Sequence, residues 1–190
     1  MRIGVLGGSF DPPHLAHQAL AECAVQQLEL DKLIVAVAFR QWQKQHDAAA
    51  SDRLAMARLQ FTSANIEVSD IDLRRETPTF TIDTISDLKS IYPDSEFIFI
   101  TGADALAGLP SWHRAAELAE TLKFAAAPRA GESVKAPEGF DVIELACELP
   151  EISSTEIRQT LESGDVKNSN LKNWLAPEVL SYIENHRLYQ

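Results

Sequence analysis

The chain has 190 residues, enough for one domain with a sizeable core, and its 45% hydrophobic and 24% charged residues are ordinary for a globular protein. A formal net charge of −11 argues against polymeric DNA or RNA, whose phosphates need a basic face, but leaves room for a small anionic ligand held by a few local cations. Cys23 and Cys147 form no Cys-x-x-Cys pair, so neither zinc nor redox chemistry is indicated and both read as small buried hydrophobes.

The sequence opens on Arg2-Ile3-Gly4-Val5-Leu6, a short buried strand that stops at Gly7-Gly8. No basic n-region or long apolar run accompanies it, so a cytoplasmic location without membrane association is expected. Leu15, Ala19, Ala24, Val25 and Leu28 follow helical spacing, and residues 33–38 form an uninterrupted apolar strand suited to a central parallel position. Residues 39–50 read as a polar loop. Ser51 is then the candidate cap of a helix carrying Leu54, Met56, Leu59 and Phe61, with Asp52-Arg53 as a surface or intrahelical pair. A half-wet strand follows at 66–69, and a helix is marked by Ile82, Ile85, Leu88 and Ile91. Next come a core strand at 97–100, a helix over 112–122, a strand at 124–127, a loop over 131–140 and a weaker strand at 142–145. Helices fill the rest. This alternation over roughly the first 130 residues predicts a parallel sheet covered on both faces, with ligands beyond the C-terminal strand ends.

Two segments carry the chemistry. The first runs Gly7-Gly8-Ser9-Phe10-Asp11-Pro12-Pro13-His14-Leu15-Ala16-His17. Its glycines let the backbone turn and approach a ligand, its prolines stiffen the descent into a helix, and His14 and His17 share one face of the first turn. Free N–H groups at such a helix start favour an anion, so the segment reads as a polyphosphate cradle. A zinc site would need further ligands that no neighbouring Cys or His supplies. A Gly-Lys dipeptide is absent, as is the glycine spacing of dinucleotide oxidoreductases. The second segment is Ile152-Ser153-Ser154-Thr155-Glu156-Ile157-Arg158. Ser153 and Glu156 fit a capping box, while the hydroxyl run and Arg158 suit the β- and γ-phosphates of a nucleotide.

Together these segments resemble the nucleotidyltransferase pair, a His-x-Gly-His-type site near one end and an Ile-Ser-Ser-Thr-x-x-Arg site near the other. With Thr77-Pro78-Thr79-Phe80-Thr81-Ile82-Asp83-Thr84, Gly102-Ala103-Asp104-Ala105-Leu106, Pro110-Ser111-Trp112-His113 and Pro128-Arg129-Ala130-Gly131, the chain resembles bacterial nicotinate-nucleotide adenylyltransferases nearly end to end. The resemblance implies an α/β, doubly wound, mostly parallel sheet of the Rossmann-like nucleotidyltransferase fold. It also implies one domain over residues 1–190 with a small helical C-terminal part from about residue 151. It implies adenylyl transfer from ATP, accompanied by Mg²⁺, to nicotinate mononucleotide.

The resemblance puts ATP at Gly7, Gly8, Ser9, Phe10, His14, His17, Gly102, Asp104, Arg129, Ser153, Ser154, Thr155 and Arg158. Nicotinate mononucleotide falls to Ser9, Lys44, Thr81 and Trp112, and catalysis to His14, His17, Lys44 and Arg158; no protein metal ligand is named. Two departures stand out: Ala16 replaces the glycine between the histidines, and a Trp42-Gln43-Lys44 version of the phosphate loop replaces Pro-Pro-His-Lys. The alternatives are adenylyl transfer to nicotinamide mononucleotide or another phosphorylated acceptor, and a catalytically weak nucleotide-binding protein. Homo-oligomerisation is left open.

Overall fold

The computed structural model describes residues 1–41, 47–128, 133–164 and 170–190. In chain order the elements are β1 (Arg2–Gly8), α1 (Leu15–Gln27), β2 (Lys32–Val37), β3 (Arg40–Gln41), α2 (Ala50–Gln60), β4 (Ile66–Ser69), β5 (Pro78–Thr79) and α3 (Thr81–Ile91). They continue as β6 (Glu96–Gly102), α4 (Ala103–Ala107), α5 (Ala115–Thr121), β7 (Lys123–Ala127), β8 (Val142–Glu144), α6 (Ser154–Glu162), α7 (Leu171–Trp174) and α8 (Pro177–His186). Six strands form one sheet in the order β4-β2-β1-β6-β7-β8, and every pairing in it is parallel. Counted within that sheet in chain order, this is 3-2-1-4-5-6, the Rossmann order, with its switch point between β1 and β6.

Successive side chains on a strand face opposite ways, and the buried residues divide accordingly. Leu33, Val35, Val37, Ile98 and Ile100 pack on one face with Leu20, Ala21 and Ala24 of α1 and Ala57 of α2. Ile34, Ala36, Phe97, Phe99 and Phe124 pack on the other with Ile82, Ile85 and Leu88 of α3 and Leu118 of α5. A third cluster joins Met56 of α2 to Ile157, Leu171, Val179 and Ile183 of the C-terminal helices. Among the described residues, no helix is long and apolar enough to cross a membrane.

Four expectations need correction. The buried stripe of α2 is Arg53, Met56, Ala57 and Gln60, while Leu54 and Leu59 are only half-buried. Ser51 is not the cap of that helix; Ala49 stands there, and the Asp47 and Ala48 amides just ahead are held by the Asp11 carboxylate at 2.8 and 3.2 Å. The segment after β6 is broken rather than one helix from Trp112: a 3₁₀ turn over Leu109–Ser111 ends at Trp112, and Arg114, at φ 57°, precedes α5. A left-handed residue cannot continue a right-handed helix. Finally, Cys23 on α1 and Cys147 beyond β8 are a disulfide, half-buried rather than two buried thiols. Beside it, the Gln27 amide exchanges hydrogen bonds with both backbone groups of Ala146, each 2.9 Å.

Candidate active site

The end of β1 lies beside the switch point. Gly7 and Gly8 are the last residues of the strand rather than a sharp turn, and neither has positive φ. Their smallness serves packing: a Cβ on Gly7 would meet the Phe99 ring at 2.8 Å, and one on Gly8 the Phe10 ring at 3.0 Å. Phe10, at φ 52°, turns its side chain into the core against Phe61 and edge-on to His17, so only its backbone is left for a nucleotide. Asp11-Pro12 is cis, and the chain then enters α1.

His14 caps α1 with extended backbone, and its N–H donates to His17 Nδ1 at 3.2 Å. An accepting Nδ1 on a neutral imidazole leaves the proton on Nε2, which makes His17 Nε2 a donor. The two rings lie 3.7 Å apart. Burial, with His17 alongside, pushes His14 down from 6.5 to about 2, so His14 is neutral at physiological pH. Its Nδ1 is buried without a hydrogen-bond partner among the described residues, as is Ser9 Oγ. Ala16 is the second residue of α1 and 9% exposed, so the backbone at this departure is helical as expected.

The second segment docks directly on the first. Ser153 caps α6, accepting from the Glu156 N–H at 3.2 Å, which supplies the N-cap half of the predicted box. Ser154 Oγ donates to the Pro12 carbonyl at 2.9 Å, and Arg158 Nη1 to the Asp11 carbonyl at 2.8 Å. Arg158 Nε also pairs with Asp47 at 2.6 Å, and Thr155 is exposed on the first turn of α6.

Three residues outside the predicted site, Asp11, Tyr189 and Arg53, organise this junction. Asp11 is 4% exposed; besides the 47–48 amides it accepts the Tyr189 hydroxyl at 2.6 Å. Arg53, read from sequence as a surface or intrahelical residue, is 1% exposed. Its guanidinium donates to the carbonyls of Ser9 and Ala38 at 2.7 Å, Phe39 at 2.9 Å and Ala48 at 3.3 Å, fastening the chain beyond β1 and β2. The signal for it was present: 53, 56, 57 and 60 are helical neighbours, but two of those residues are polar.

Gly102 closes β6 beside the switch point, and a Cβ there would meet nothing within 4 Å, so this backbone is open to a ligand. Asp104 lies on α4. Thr81 opens α3 and is half-buried. Trp112 is brought to the same neighbourhood, since the Phe80 and His113 rings, tilted by 34°, lie 4.4 Å apart. The Trp112 indole meets Phe99 and Phe124 edge-on at 5.8 and 6.5 Å, so it belongs partly to the core. Lys44 and Arg129 lie outside the described residues.

The family model for cytidylyltransferase-like proteins matches residues 5–160, which makes the class a nucleotidyltransferase. A protein of Exiguobacterium sibiricum named "probable nicotinate-nucleotide adenylyltransferase" is 39% identical over 192 residues, covering 100% of this chain and 99% of its own length. One of the same name from Listeria monocytogenes is 35% identical, with 99% and 97% covered. The chain belongs to the nicotinate-nucleotide adenylyltransferase family. The fold is also that of Plasmodium falciparum nicotinic acid mononucleotide adenylyltransferase, solved in complex with NaAD, at TM-score 0.82 and 23% identity over 99% of this chain and 97% of that one.

Proposed function

We propose that this chain joins ATP and nicotinate mononucleotide into nicotinate adenine dinucleotide, releasing pyrophosphate. The observation that carries the reading is the docking of α6 on the first segment through Ser154 and Arg158, which gathers imidazole, hydroxyl and guanidinium groups at one sheet edge. The names of the relatives support the pyridine acceptor.

In the proposed reaction a 5′-phosphate oxygen of the acceptor attacks the α-phosphorus of ATP. The bond from that phosphorus to the β-phosphate bridge breaks, and pyrophosphate leaves with the bonding pair. The attacking oxygen is already anionic, so no base or covalent nucleophile is needed; catalysis is orientation and charge stabilisation. His14, kept neutral by burial, positions a phosphate by hydrogen bonding. His17 offers its Nε2–H to the α-phosphate, and Arg158 and Lys44 neutralise the remaining phosphates. The backbone at Gly7, Gly8, Ser9 and Phe10, with Ser153, Ser154, Thr155 and Arg129, completes the triphosphate site. Gly102 and Asp104 take the adenosine, and Thr81, Trp112 and Ser9 the nicotinate nucleotide.

Imidazoles, helix N–H groups and a guanidinium are phosphate donors rather than ligands for a hard cation. Among the described residues, no group of three or more His, Cys, Asp or Glu is placed to hold a metal ion. A divalent cation, Mg²⁺ in this proposal, accompanies the triphosphate, held by phosphate and water oxygens and neutralising their charge.

The test is pyrophosphate release from Mg·ATP with a panel of phosphorylated acceptors. Nicotinate mononucleotide should be preferred over its amide by at least ~10²-fold in kcat/KM, because donors placed for a carboxylate are left unpaired by an amide. His17→Ala should lower kcat by about 10²-fold with the melting temperature unchanged. Equal use of both acceptors would make this a general pyridine-nucleotide adenylyltransferase, and absence of any dinucleotide would refute the enzyme.

A further inference from the structure

We infer that Tyr189 is a positioning residue for this site, acting through Asp11; the inference rests on the adenylyltransferase reading above. Tyr189 follows α8, far from both motifs in sequence, yet it is 9% exposed and its hydroxyl donates to Asp11 Oδ1 at 2.6 Å. Its φ of 61° is left-handed, an unfavourable backbone for a bulky residue that must be compensated by contacts such as this one.

The contact reaches the reacting groups by a short route. The carboxylate that Tyr189 holds also accepts the Asp47 amide at 2.8 Å and the Ala48 amide at 3.2 Å. The Asp47 side chain pairs with Arg158 Nε at 2.6 Å, and the Asp11 carbonyl takes Arg158 Nη1 at 2.8 Å. Arg158 is thus aimed by the Asp11 backbone carbonyl and by the Asp47 side chain, whose own backbone amide the Asp11 carboxylate holds. A buried carboxylate oxygen that loses a short hydrogen bond turns toward its remaining donors. Among the described residues those donors include the 47–48 amides, so the shift passes to Asp47 and from it to the guanidinium. Displacements well under 1 Å at a phosphate-binding group are costly when catalysis is mainly orientation.

Tyr189→Phe removes the hydroxyl and keeps the packed ring. The expected result is a fall of about tenfold or more in kcat/KM for Mg·ATP, KM for the mononucleotide within about twofold, and faster amide exchange at residues 47 and 48. A filler of space would lose melting temperature without this kinetic split. Because the effect runs through Asp11, Tyr189→Phe added to Asp11→Ala, which leaves the hydroxyl no acceptor there, should cost no more than Asp11→Ala alone. Additive losses, or Tyr189→Phe kinetics equal to wild type, overturn the inference and leave the function standing. A wild-type protein inactive with every acceptor removes both. Amide exchange needs no turnover: unchanged protection at residues 47 and 48 breaks the proposed route whatever the kinetics.

Discussion

At the scale of single residues, polar and glycine positions hold this site together by packing as much as by chemistry. Gly7 is a strand residue whose missing Cβ makes room for the Phe99 ring, 2.8 Å from where that carbon would be. Gly7→Ala should therefore destabilise the fold by about 1–3 kcal/mol, the usual range for overpacking a core. Urea denaturation reads this directly. Adding Phe99→Leu should recover part of the loss, and a fully stable single variant would show that the ring yields at no cost. Ala16 poses the reverse question. As the second residue of α1 it already has helical backbone, so Ala16→Gly should cost up to about 1 kcal/mol of stability. Faster turnover or lower KM in that variant would mean the methyl crowds the nucleotide; unchanged kinetics would mean the loop has accommodated it.

At the scale of elements, two fastenings tie helices to distant parts of the chain. Arg53 joins α2 to the chain beyond β1 and β2 through four carbonyls, those of Ser9, Ala38, Phe39 and Ala48. Lysine can reach only some of these, and buried carbonyls left without a donor cost about 1–3 kcal/mol each. Arg53→Lys should lower stability by about 3 kcal/mol and reduce turnover with it; a variant stable and fully active would show that water replaces the guanidinium. The second fastening is the Cys23–Cys147 disulfide, which closes 124 residues of sequence and ties α1 to the segment leading into α6. Its reduction should remove about 2–4 kcal/mol, seen as a lower melting temperature with dithiothreitol or in Cys23→Ser. No change on complete reduction, checked by thiol counting, would mean that packing and the Gln27–Ala146 bonds suffice.

At the scale of the whole molecule, the electrostatics of the candidate site enter global stability. His14 titrates at about 2 in the fold and near 6.5 when exposed. Between those values the unfolded chain binds the additional proton. The contribution of neutral, buried His14 is therefore complete above pH 6.5 and falls as pH drops below it, by about 1.4 kcal/mol per pH unit for one proton. Denaturation midpoints of wild type and His14→Asn from about pH 8 to about pH 5 test this, with the shallower decline expected in the variant. Equal slopes would mean that His14 accepts its proton without unfolding.

Much of the architecture was legible before any tertiary contact was known. The apolar runs at 33–38 and 97–100 became β2 and β6, and the spacing of Ile82, Ile85, Leu88 and Ile91 became α3, with the first three buried and Ile91 exposed; the resemblance, for its part, paired the two segments proposed to bind phosphate, which meet through Ser154 and Arg158. The strands and the helix follow from backbone periodicity, which recurs every two or every three to four residues and so leaves a mark on a single sequence. What only the tertiary structure decided are the partnerships of Asp11 with Tyr189, Arg53 with four carbonyls, Arg158 with Asp47, and Cys23 with Cys147. Each depends on polar or sulfur groups brought together by the winding of the sheet. A side chain whose partner is set by long-range closure, rather than by its place on a helix or strand, leaves no period to read.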